Sequence, residues 1–386
     1  MKKIAIVANS AWNLYNFRLN LAKAIEDSGY RVIFIAPYDR YSDLLENEGF
    51  KVHDITIKAR GTNPIDDNET LIKFKKLYKK LQPSIILHYT IKPVIYGTVA
   101  ANIYHIPVIN TITGLGSALI ANNFITNITK QLYKFSLDKS FKVFFQNRDD
   151  MEFFLKNKMV KKDKCTLVAG SGIDTKKFSP IKSIKNSSNN FSFLLIARMI
   201  RDKGVYEYIE AAKMLKSKYY NISFNILGFF DNSNNGSIPK DTIKTLHDKK
   251  IINYLGSSDH VIKYIANADC VVLPSYREGI SRVLLEAASM AKPIITTDTT
   301  GCRDIVKDGV NGFLCRVKDS KSLAIKCEKM FLYSKEKREM LGKNSRKIVI
   351  ENFSEDIVID KYLNYISQIS PSFYKFKIKI DHKIVN

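Results

Sequence analysis

The feature that most constrains the fold is an alternation, along the whole chain, of short apolar runs of strand length with amphipathic segments of helical length. This alternation is typical of parallel sheets whose two faces are covered by helices. The pattern occurs twice, on either side of a polar segment over 175–190 that is rich in Lys, Ser and Asn. We therefore predict an α/β protein with two parallel-sheet domains joined by a linker.

The predicted elements give each domain its boundaries. In the first half, the predicted strands are 4–8, 31–36, 85–88, 108–111 and 142–146. In the second half, they are 191–197, 222–227, 270–273 and 293–297. The predicted helices are 18–28, 205–215, 282–290 and one from a Ser354 cap to Ile369. We expect two Rossmann-like domains facing across a cleft, over 1–175 and 191–352. A final segment, 353–386, is expected to pack its helix back on the first domain and to end in a basic tail.

Several protein classes are disfavoured by the sequence. A membrane-spanning helix is not expected, because the most apolar region, 84–120, is broken by six polar or imino residues. They are His88, Lys92, Asn102, His105, Pro107 and Asn110. The start, Met-Lys-Lys before only five apolar residues, is too short for a signal peptide, so a cytoplasmic location is expected. The 5 cysteines are widely spaced and form no Cys-x-x-Cys pair, which predicts buried thiols.

The formal net charge of +23 points to an anionic partner, although a genome biased toward Lys, Asn and Ile could also supply it. The distribution is more informative, because residues 70–137 contain no Asp or Glu. Their lysines are Lys73, Lys75, Lys76, Lys79, Lys80, Lys92, Lys130 and Lys134. Apolar residues over 124–137 recur at near-helical spacing, as in a helix on an anionic membrane surface or in an ordinary core-facing helix. No nucleic-acid recognition motif is present, and that partner is not expected.

The first motif with chemical content, 274–286, directly follows a predicted strand. Glu278 falls at the strand-to-helix turn, and Glu286 lies eight residues further along the helix. The start of a helix offers backbone N–H groups that suit a phosphate or a sugar hydroxyl. The candidates are Gly279, Ile280 and Ser281. Glu286 lies in an apolar segment, where an inward carboxylate needs donors such as ribose hydroxyls. Taken alone, a dipole-favoured Glu and a second Glu on a solvated face explain the same pattern.

The second motif follows the strand predicted over 191–197. Arg198 comes directly after it, and Lys203 precedes Gly204 at the start of the next helix. Two cations in these positions can hold a diphosphate from two sides. Ordinary surface charges are the alternative explanation.

Together these residues resemble the GT-B glycosyltransferases of family 4. The resemblance is carried by Arg198, Lys203 and Gly204, followed some eighty residues later by Glu278 and Glu286, and it extends over nearly the whole chain. Its further motifs are Tyr15-Asn-Phe-Arg18, Thr113-Gly-Leu-Gly-Ser117, Gly172-Ile-Asp174, Leu255-Gly-Ser257, Leu273-Pro-Ser-Tyr-Arg-Glu-Gly279 and Asp308-Gly-Val-Asn-Gly-Phe-Leu314. The members with the greatest resemblance extend undecaprenyl-diphosphate-linked sugars.

The resemblance implies a retaining, metal-independent transfer from a UDP-sugar, which is a substrate, so no cofactor is expected. Arg198 and Lys203 would hold the diphosphate, and Glu278 would orient the donor sugar, which makes these three the predicted catalytic residues. The predicted nucleotide-sugar site consists of Gly279, Ile280, Ser281, Glu286, Gly228 and Leu255. The best guess for the donor sugar is N-acetylgalactosamine or another N-acetylhexosamine.

The acceptor is expected to be a saccharide on undecaprenyl diphosphate, reached at the inner face of an anionic membrane. Its predicted contacts are Arg18, which would meet the diphosphate, and His88, Thr113 and Gly114. His88 is also explained as a structural core residue. Two departures from the family pattern matter: Thr113 replaces a His that many members carry, and the loop predicted over 9–14 lacks their glycines. Trp12 in that loop either contacts the acceptor or the lipid, or belongs to the core.

Two other functions fit part of the sequence. A nucleotide-sugar 2-epimerase would share the fold but need no acceptor, and the Arg/Lys and Glu/Glu set argues against it. A non-catalytic, basic membrane-binding protein would tolerate replacement of Arg198 and Glu278.

Overall fold

The computed structural model describes residues 1–57, 64–116, 119, 124–181, 190–231, 234 and 236–370. The predicted basic tail, half of the predicted linker and Ser117 lie outside these residues. The chain forms two compact units. The first comprises Met1–Ser171 and the segment that begins at Ile359, and the second comprises Gly172–Val358. The last described helix therefore contributes most of its length to the first unit.

The first unit is built on a sheet of seven parallel strands. Their order across the sheet is β3-β2-β1-β4-β5-β6-β7. The strands are β1 (Lys3–Val7), β2 (Arg31–Ala36), β3 (Lys51–Asp54), β4 (Ile85–Tyr89), β5 (Val108–Ile112), β6 (Lys142–Phe145) and β7 (Cys165–Leu167). In the central pairs, Ile4 is opposite both Val32 and Ile85. All residues of β4 and β5 are buried, as expected for strands covered on both faces.

Helices cover this sheet, and the connections between its strands run through them. Those described are α1 (Ala11–Asp27), α2 (Arg40–Asn47), α3 (Pro64–Leu81), α4 (Thr98–Ile103, after a π-helical turn at Pro93–Gly97), α5 (Phe124–Leu137), α6 (Arg148–Lys156) and α13 (Glu355–Ile369). Tyr362 of α13 lies in the core, where its hydroxyl bonds Thr111 at 2.6 Å and its ring meets Phe144 edge-on. A helix that follows the second unit in the chain thus completes the core of the first unit.

The second unit contains a parallel sheet of six strands in the order β10-β9-β8-β11-β12-β13. They are β8 (Phe191–Ile196), β9 (Ile222–Leu227), β10 (Asn253–Tyr254), β11 (Cys270–Leu273), β12 (Ile294–Thr297) and β13 (Gly312–Cys315). Its described helices are α7 (Val205–Lys216), α8 (Lys240–Asp248), α9 (Ile262–Asn267), α10 (Arg282–Ser289), α11 (Ser320–Leu332) and α12 (Lys335–Phe353). Apolar side chains of β8, β9 and α7 form the centre of its core.

The structure confirms the α/β class with two parallel, Rossmann-like sheets. The predicted start of the first helix is wrong: α1 begins at Ala11 because the Ser10 side chain accepts a hydrogen bond from the Asn13 amide and caps it there. Trp12 therefore lies in the first turn of a helix and is 43% exposed. No helix in the described part of the chain has the length and apolar character needed to cross a bilayer.

His88 lies inside the core of the first unit and not at a binding surface. The side chain has no exposed area. The Tyr78 hydroxyl donates to Nε2 at 2.7 Å, and Nδ1 donates to the Asn110 side-chain oxygen at 3.2 Å. Because both ring nitrogens are occupied below the surface, the predicted contact of His88 with the acceptor is wrong. Burial lowers the pKa of His88 to about 3, so the ring is neutral in the folded protein.

This depressed pKa predicts a pH dependence of stability. Unfolded histidine binds a proton below about pH 6.5, whereas folded His88 excludes it, so its contribution is complete above that pH and is lost on acidification. We expect the wild-type protein to lose about 2 kcal/mol of unfolding free energy from this group between pH 7 and pH 5. His88→Gln should remove that component, as measured by urea unfolding at both pH values. Equal pH dependence in the two proteins would contradict a neutral, buried His88.

Candidate active site

Each sheet has one position where the strand order reverses, and ligands of open parallel sheets bind beyond the carboxyl ends of the strands there. In the second unit this position lies between β8 and β11, which are neighbours in the sheet. The segments that follow these strands, 197–204 and 274–281, contain the residues predicted to be catalytic. The topology therefore brings the two sequence motifs to one edge of the sheet.

A close approach of the backbone fixes these two segments against each other. Gly204 has φ +71, and a Cβ added there would lie 2.0 Å from the Pro274 carbonyl oxygen, so only glycine fits. The carbonyl of Asp202 accepts hydrogen bonds from the Tyr276 amide at 2.8 Å and from the Ser275 hydroxyl at 3.1 Å. The loop after β8 is consequently held by the loop after β11.

Lys203 and Glu278 meet at this junction. The Lys203 ammonium lies 2.5 Å from Glu278 Oε1, and both side chains are largely buried. The Ser275 hydroxyl lies 2.7 Å from the same carboxylate oxygen, so its single proton is shared between this oxygen and the Asp202 carbonyl. The sequence did not single out Ser275, although its position three residues before Glu278 in a turn is where such a bond forms. The pair places a cation and a carboxylate side by side at the sheet edge.

Arg198 has a second carboxylate partner. Its Nη1 donates to Asp231 Oδ2 at 3.0 Å, and the Arg198 side chain is 41% exposed, whereas that of Asp231 is 10% exposed. Asp231 follows β9 and carried no signal in the sequence. Both predicted phosphate-binding cations are thus paired with acidic side chains in this structure, and Arg198 remains accessible to solvent.

The loop before α10 presents its backbone at the same edge. Ser281 is the N-cap residue of α10, and its side chain makes no capping hydrogen bond. The Glu278 amide donates to the Thr300 carbonyl at 3.1 Å. Gly301 packs so closely that an added Cβ would lie 2.6 Å from the carbonyl oxygens of Glu278 and Gly279. This packing fixes the loop, and the helix N-terminus beyond it favours an anion.

Glu286 is buried on α10, and burial raises the pKa of its carboxyl group. Arg282, one turn earlier, donates from Nε to Glu286 Oε1 at 3.0 Å and opposes that shift. Arg282 also donates from Nη1 to the Gly172 carbonyl at 3.2 Å. The i,i+4 spacing of Arg282 and Glu286 was visible in the sequence and could have predicted this pair.

Gly228 and Leu255 lie at the ends of the neighbouring strands β9 and β10. A Cβ on Gly228 would lie 1.7 Å from the Ala197 carbonyl oxygen, so no residue other than glycine fits at this position. The Gly228 carbonyl accepts a hydrogen bond from the Tyr254 hydroxyl at 2.8 Å. Leu255 is 39% exposed and offers an apolar surface beside these groups.

The residues predicted to bind the acceptor lie in the first unit. Thr113 and Gly114 directly follow β5 at the carboxyl edge and are partly exposed. Arg18 of α1 is buried, and its guanidinium stacks over the Tyr89 ring at the end of β4, 3.8 Å from the centroid. His88, as described above, lies deeper in the core. The described residues contain no group of three or more His, Cys, Asp or Glu side chains placed to hold a metal ion.

The second unit thus gathers two cations, a carboxylate, a helix N-terminus and a buried acid at one sheet edge. This set can bind a diphosphate through Arg198 and Lys203 and a polyol through the carboxylates of Glu278 and Glu286. It also supplies fixed positive charge where negative charge would develop on a leaving group.

Comparison with known families agrees with this arrangement. Residues 3–147 match the glycosyl transferase 4-like family model, and residues 177–348 match that of glycosyl transferases group 1. The chain is 28% identical, over 95% of its length and 99% of the relative's, to the Campylobacter jejuni N,N'-diacetylbacillosaminyl-diphospho-undecaprenol alpha-1,3-N-acetylgalactosaminyltransferase.

Further relatives agree with these matches. The chain is 25% identical to the Escherichia coli UDP-Gal:alpha-D-GlcNAc-diphosphoundecaprenol alpha-1,3-galactosyltransferase, over 79% of this chain and 83% of the relative. Anabaena Alr3699/HepE, solved with UDP and glucose, has the same fold, with a TM-score of 0.76 at 18% identity over 95% of this chain and 100% of the other.

The predicted family resemblance is therefore confirmed. The chain is a glycosyltransferase of the GT-B fold, made of a glycosyl transferase 4-like domain and a glycosyl transferases group 1 domain.

Proposed function

We propose that this protein transfers a sugar, with N-acetylgalactosamine or another N-acetylhexosamine as the best candidate, from a UDP-sugar to a saccharide carried on undecaprenyl diphosphate. The observation that carries the proposal is the junction of Lys203 and Glu278, with Arg198 beside it, at the switch point of the second sheet. This junction combines a diphosphate-binding pair of cations with an acid that can hold sugar hydroxyls.

The proposed chemistry is an exchange of partners. When the donor binds, its diphosphate takes the place of Asp231 on Arg198 and shares Lys203 with Glu278. As the glycosidic bond breaks, the two cations stabilise the negative charge that passes to the diphosphate. Glu286 accepts hydrogen bonds from the ribose hydroxyls, and Arg282 keeps it oriented and opposes the rise in its pKa that burial causes.

We propose that transfer retains the anomeric configuration. The acceptor hydroxyl attacks on the face that the diphosphate leaves, its oxygen forms the new bond to the anomeric carbon, and its proton passes to the departing phosphate oxygen. The protein then contributes position and electrostatics and no covalent intermediate. Arg198 and Lys203 supply the positive charge, so the reaction is expected to need no divalent metal.

The relatives support the substrate classes. The names of the Campylobacter and Escherichia enzymes both specify diphospho-undecaprenol acceptors, and the Escherichia enzyme also specifies a UDP-sugar donor. HepE was solved with UDP and with UDP-glucose. These names leave the donor sugar open, since one relative transfers N-acetylgalactosamine and the other galactose.

The proposed function is tested by UDP release from a panel of UDP-sugars, with and without an undecaprenyl-diphosphate-linked N-acetylhexosamine, in buffer with EDTA. We expect release that depends on the acceptor, survives EDTA and is fastest with UDP-N-acetylgalactosamine. NMR of the product should show an α linkage. Acceptor-independent turnover would favour an epimerase or hydrolase, and a product of inverted configuration would contradict the retaining mechanism.

The roles of the two cations predict large losses of activity. Arg198→Ala and Lys203→Ala each remove a donor to the developing charge and should lower kcat/KM by about 10² to 10³-fold in the transfer assay. Lys213→Ala on α7 is the matched control, since among the described residues this lysine pairs only with exposed Glu210 on its own helix. Activity of either cation variant within tenfold of wild type would refute the site assignment.

The outer face of α5 supports membrane attachment. Its buried side includes the polar residues Thr126, Thr129 and Ser136, whereas its exposed side chains include large apolar ones. The exposed apolar residues are Phe124, Ile125, Ile128 and Phe135. Lys134 is exposed on the same helix, and the Lys139 ammonium lies over the Phe135 ring. An apolar surface flanked by lysines fits the interface of an anionic bilayer, and we propose that α5 docks the enzyme on the inner face of the cell membrane.

This docking is tested by sedimentation with vesicles of phosphatidylglycerol and phosphatidylcholine. The double variant Phe124→Ser with Phe135→Ser should reduce vesicle binding at least tenfold, because two aromatic side chains inserted into the bilayer interface contribute several kcal/mol to binding. Leu332→Ser, which removes an exposed apolar side chain from the second unit, serves as the control. Binding that is insensitive to the α5 changes, or to the phosphatidylglycerol content, would exclude this surface.

A further inference from the structure

The first unit has its own switch point, between β1 and β4, and Arg18 lies beside it. Arg18 comes from α1, the helix that follows β1, and its guanidinium lies over the ring of Tyr89, the last residue of β4. The residue is only 2% exposed. A positive charge is therefore buried at the position where a parallel sheet binds its ligands.

This charge has no counter-ion among the described residues. Its Nε is buried without a hydrogen-bond partner, and no described carboxylate forms an ion pair with Arg18. Tyr89 and Tyr362 are the neighbouring phenols, and burial raises both pKa values, so neither supplies a negative charge. An isolated buried charge is strongly unfavourable, and the stacking on Tyr89 offsets only part of that cost.

The chain around Arg18 shows further features of a binding site. Thr90, directly after β4, has φ +68, a conformation that a β-branched residue adopts only under strain. Gly114, after the adjacent strand β5, has φ +140, which only glycine adopts readily. Thr90 and Gly114 follow the neighbouring strands β4 and β5, so both lie at the sheet edge where Arg18 stacks on Tyr89. Strain of this kind is typical of ligand sites.

We infer that Arg18 is the anion-binding residue of a second site, at the switch point of the first sheet, and that its ligand is the diphosphate of the lipid-linked acceptor. The inference rests on the proposed function for the identity of the ligand. A guanidinium suits a phosphate because its planar N–H groups can bond two oxygens at once. The donor's diphosphate is assigned to Arg198 and Lys203 in the second unit, so the acceptor is the substrate that brings a further diphosphate.

Arg18→Met separates a binding role from a structural one. Methionine keeps an extended side chain against Tyr89 but removes the charge. If Arg18 serves a ligand, the ligand-free variant should unfold at the same temperature as the wild type or a higher one, because an uncompensated buried charge is gone. If Arg18 serves the fold, the variant should unfold at a lower temperature. Lys23→Gln, on the exposed side of the same helix, is the matched control.

The transfer assay then compares two acceptors that carry the same sugar, an undecaprenyl diphosphate and an uncharged alkyl glycoside. Arg18→Met should raise KM for the diphosphate acceptor about 30-fold, the loss of roughly one charge-assisted contact. KM for the alkyl glycoside and for the UDP-sugar should change less than threefold. An equal change for both acceptors, or none for the diphosphate, would overturn the inference.

Binding of inorganic pyrophosphate keeps this test independent of the proposed function. Calorimetry in saturating UDP, which occupies the second unit, should show pyrophosphate binding to wild type and to Lys23→Gln but not to Arg18→Met. If pyrophosphate binding differs in this way but the transfer assay shows no activity with any lipid-linked acceptor, the anion site is supported and the proposed acceptor is wrong. If all three proteins bind equally, or none binds, the site itself is refuted.

Discussion

The candidate active site depends on one close contact, the packing of Gly204 against the carbonyl of Pro274. It lets the loops after two adjacent parallel strands touch through their backbones, with Asp202 accepting hydrogen bonds from the second loop. Lys203 and Glu278 are 75 residues apart in the chain, and the contact between the two loops brings their side chains together as an ion pair. A side chain at position 204 would separate the two loops and, with them, the cation from the acid.

The ligand-free site stores its charges as pairs. Asp231 and Glu278 occupy Arg198 and Lys203 in positions that the proposed function gives to phosphate oxygens. Such pairing limits the cost of holding cations in partly buried positions while no substrate is bound. It also limits the affinity that we expect for a nucleotide, which must displace Asp231 from Arg198 and share Lys203 with Glu278. Arg18 in the first unit shows the opposite arrangement, because it has no acidic partner among the described residues, and the anion that we propose for it would offset this cost.

The sequence predicted the elements whose apolar runs are continuous. Three strands, β2, β9 and β11, have the predicted bounds, because each ends directly before a glycine or a proline that marks a turn. It missed β10, which has two residues, because a run so short has no periodicity. It also missed the N-cap at Ser10, because the residues after it were interpreted as a loop that lacked the family's glycines.

Site residues were predicted where a local motif marks them and missed where their contacts depend on the folded chain. Local motifs placed Arg198, Lys203 and Glu278 at strand ends, where topology brings them together. Asp231 was unpredictable, because its pairing with Arg198 depends on how the loop after β9 folds. For His88 the sequence left a binding role and a structural role open, because its position near a strand end does not reveal the Tyr78 and Asn110 side chains that enclose it.

The core of the first unit cannot form completely until the last described helix, α13, has been synthesised. Tyr362 packs against Phe144, and its hydroxyl bonds Thr111, while the Ser370 hydroxyl accepts from Lys2 at 2.7 Å. Residues that follow the second unit in the chain thus fill the core of the unit that precedes it. The second unit, Gly172–Val358, is synthesised before α13 is complete. Until then, Phe144 in the first unit lacks the contact with Tyr362 that covers it in the folded protein.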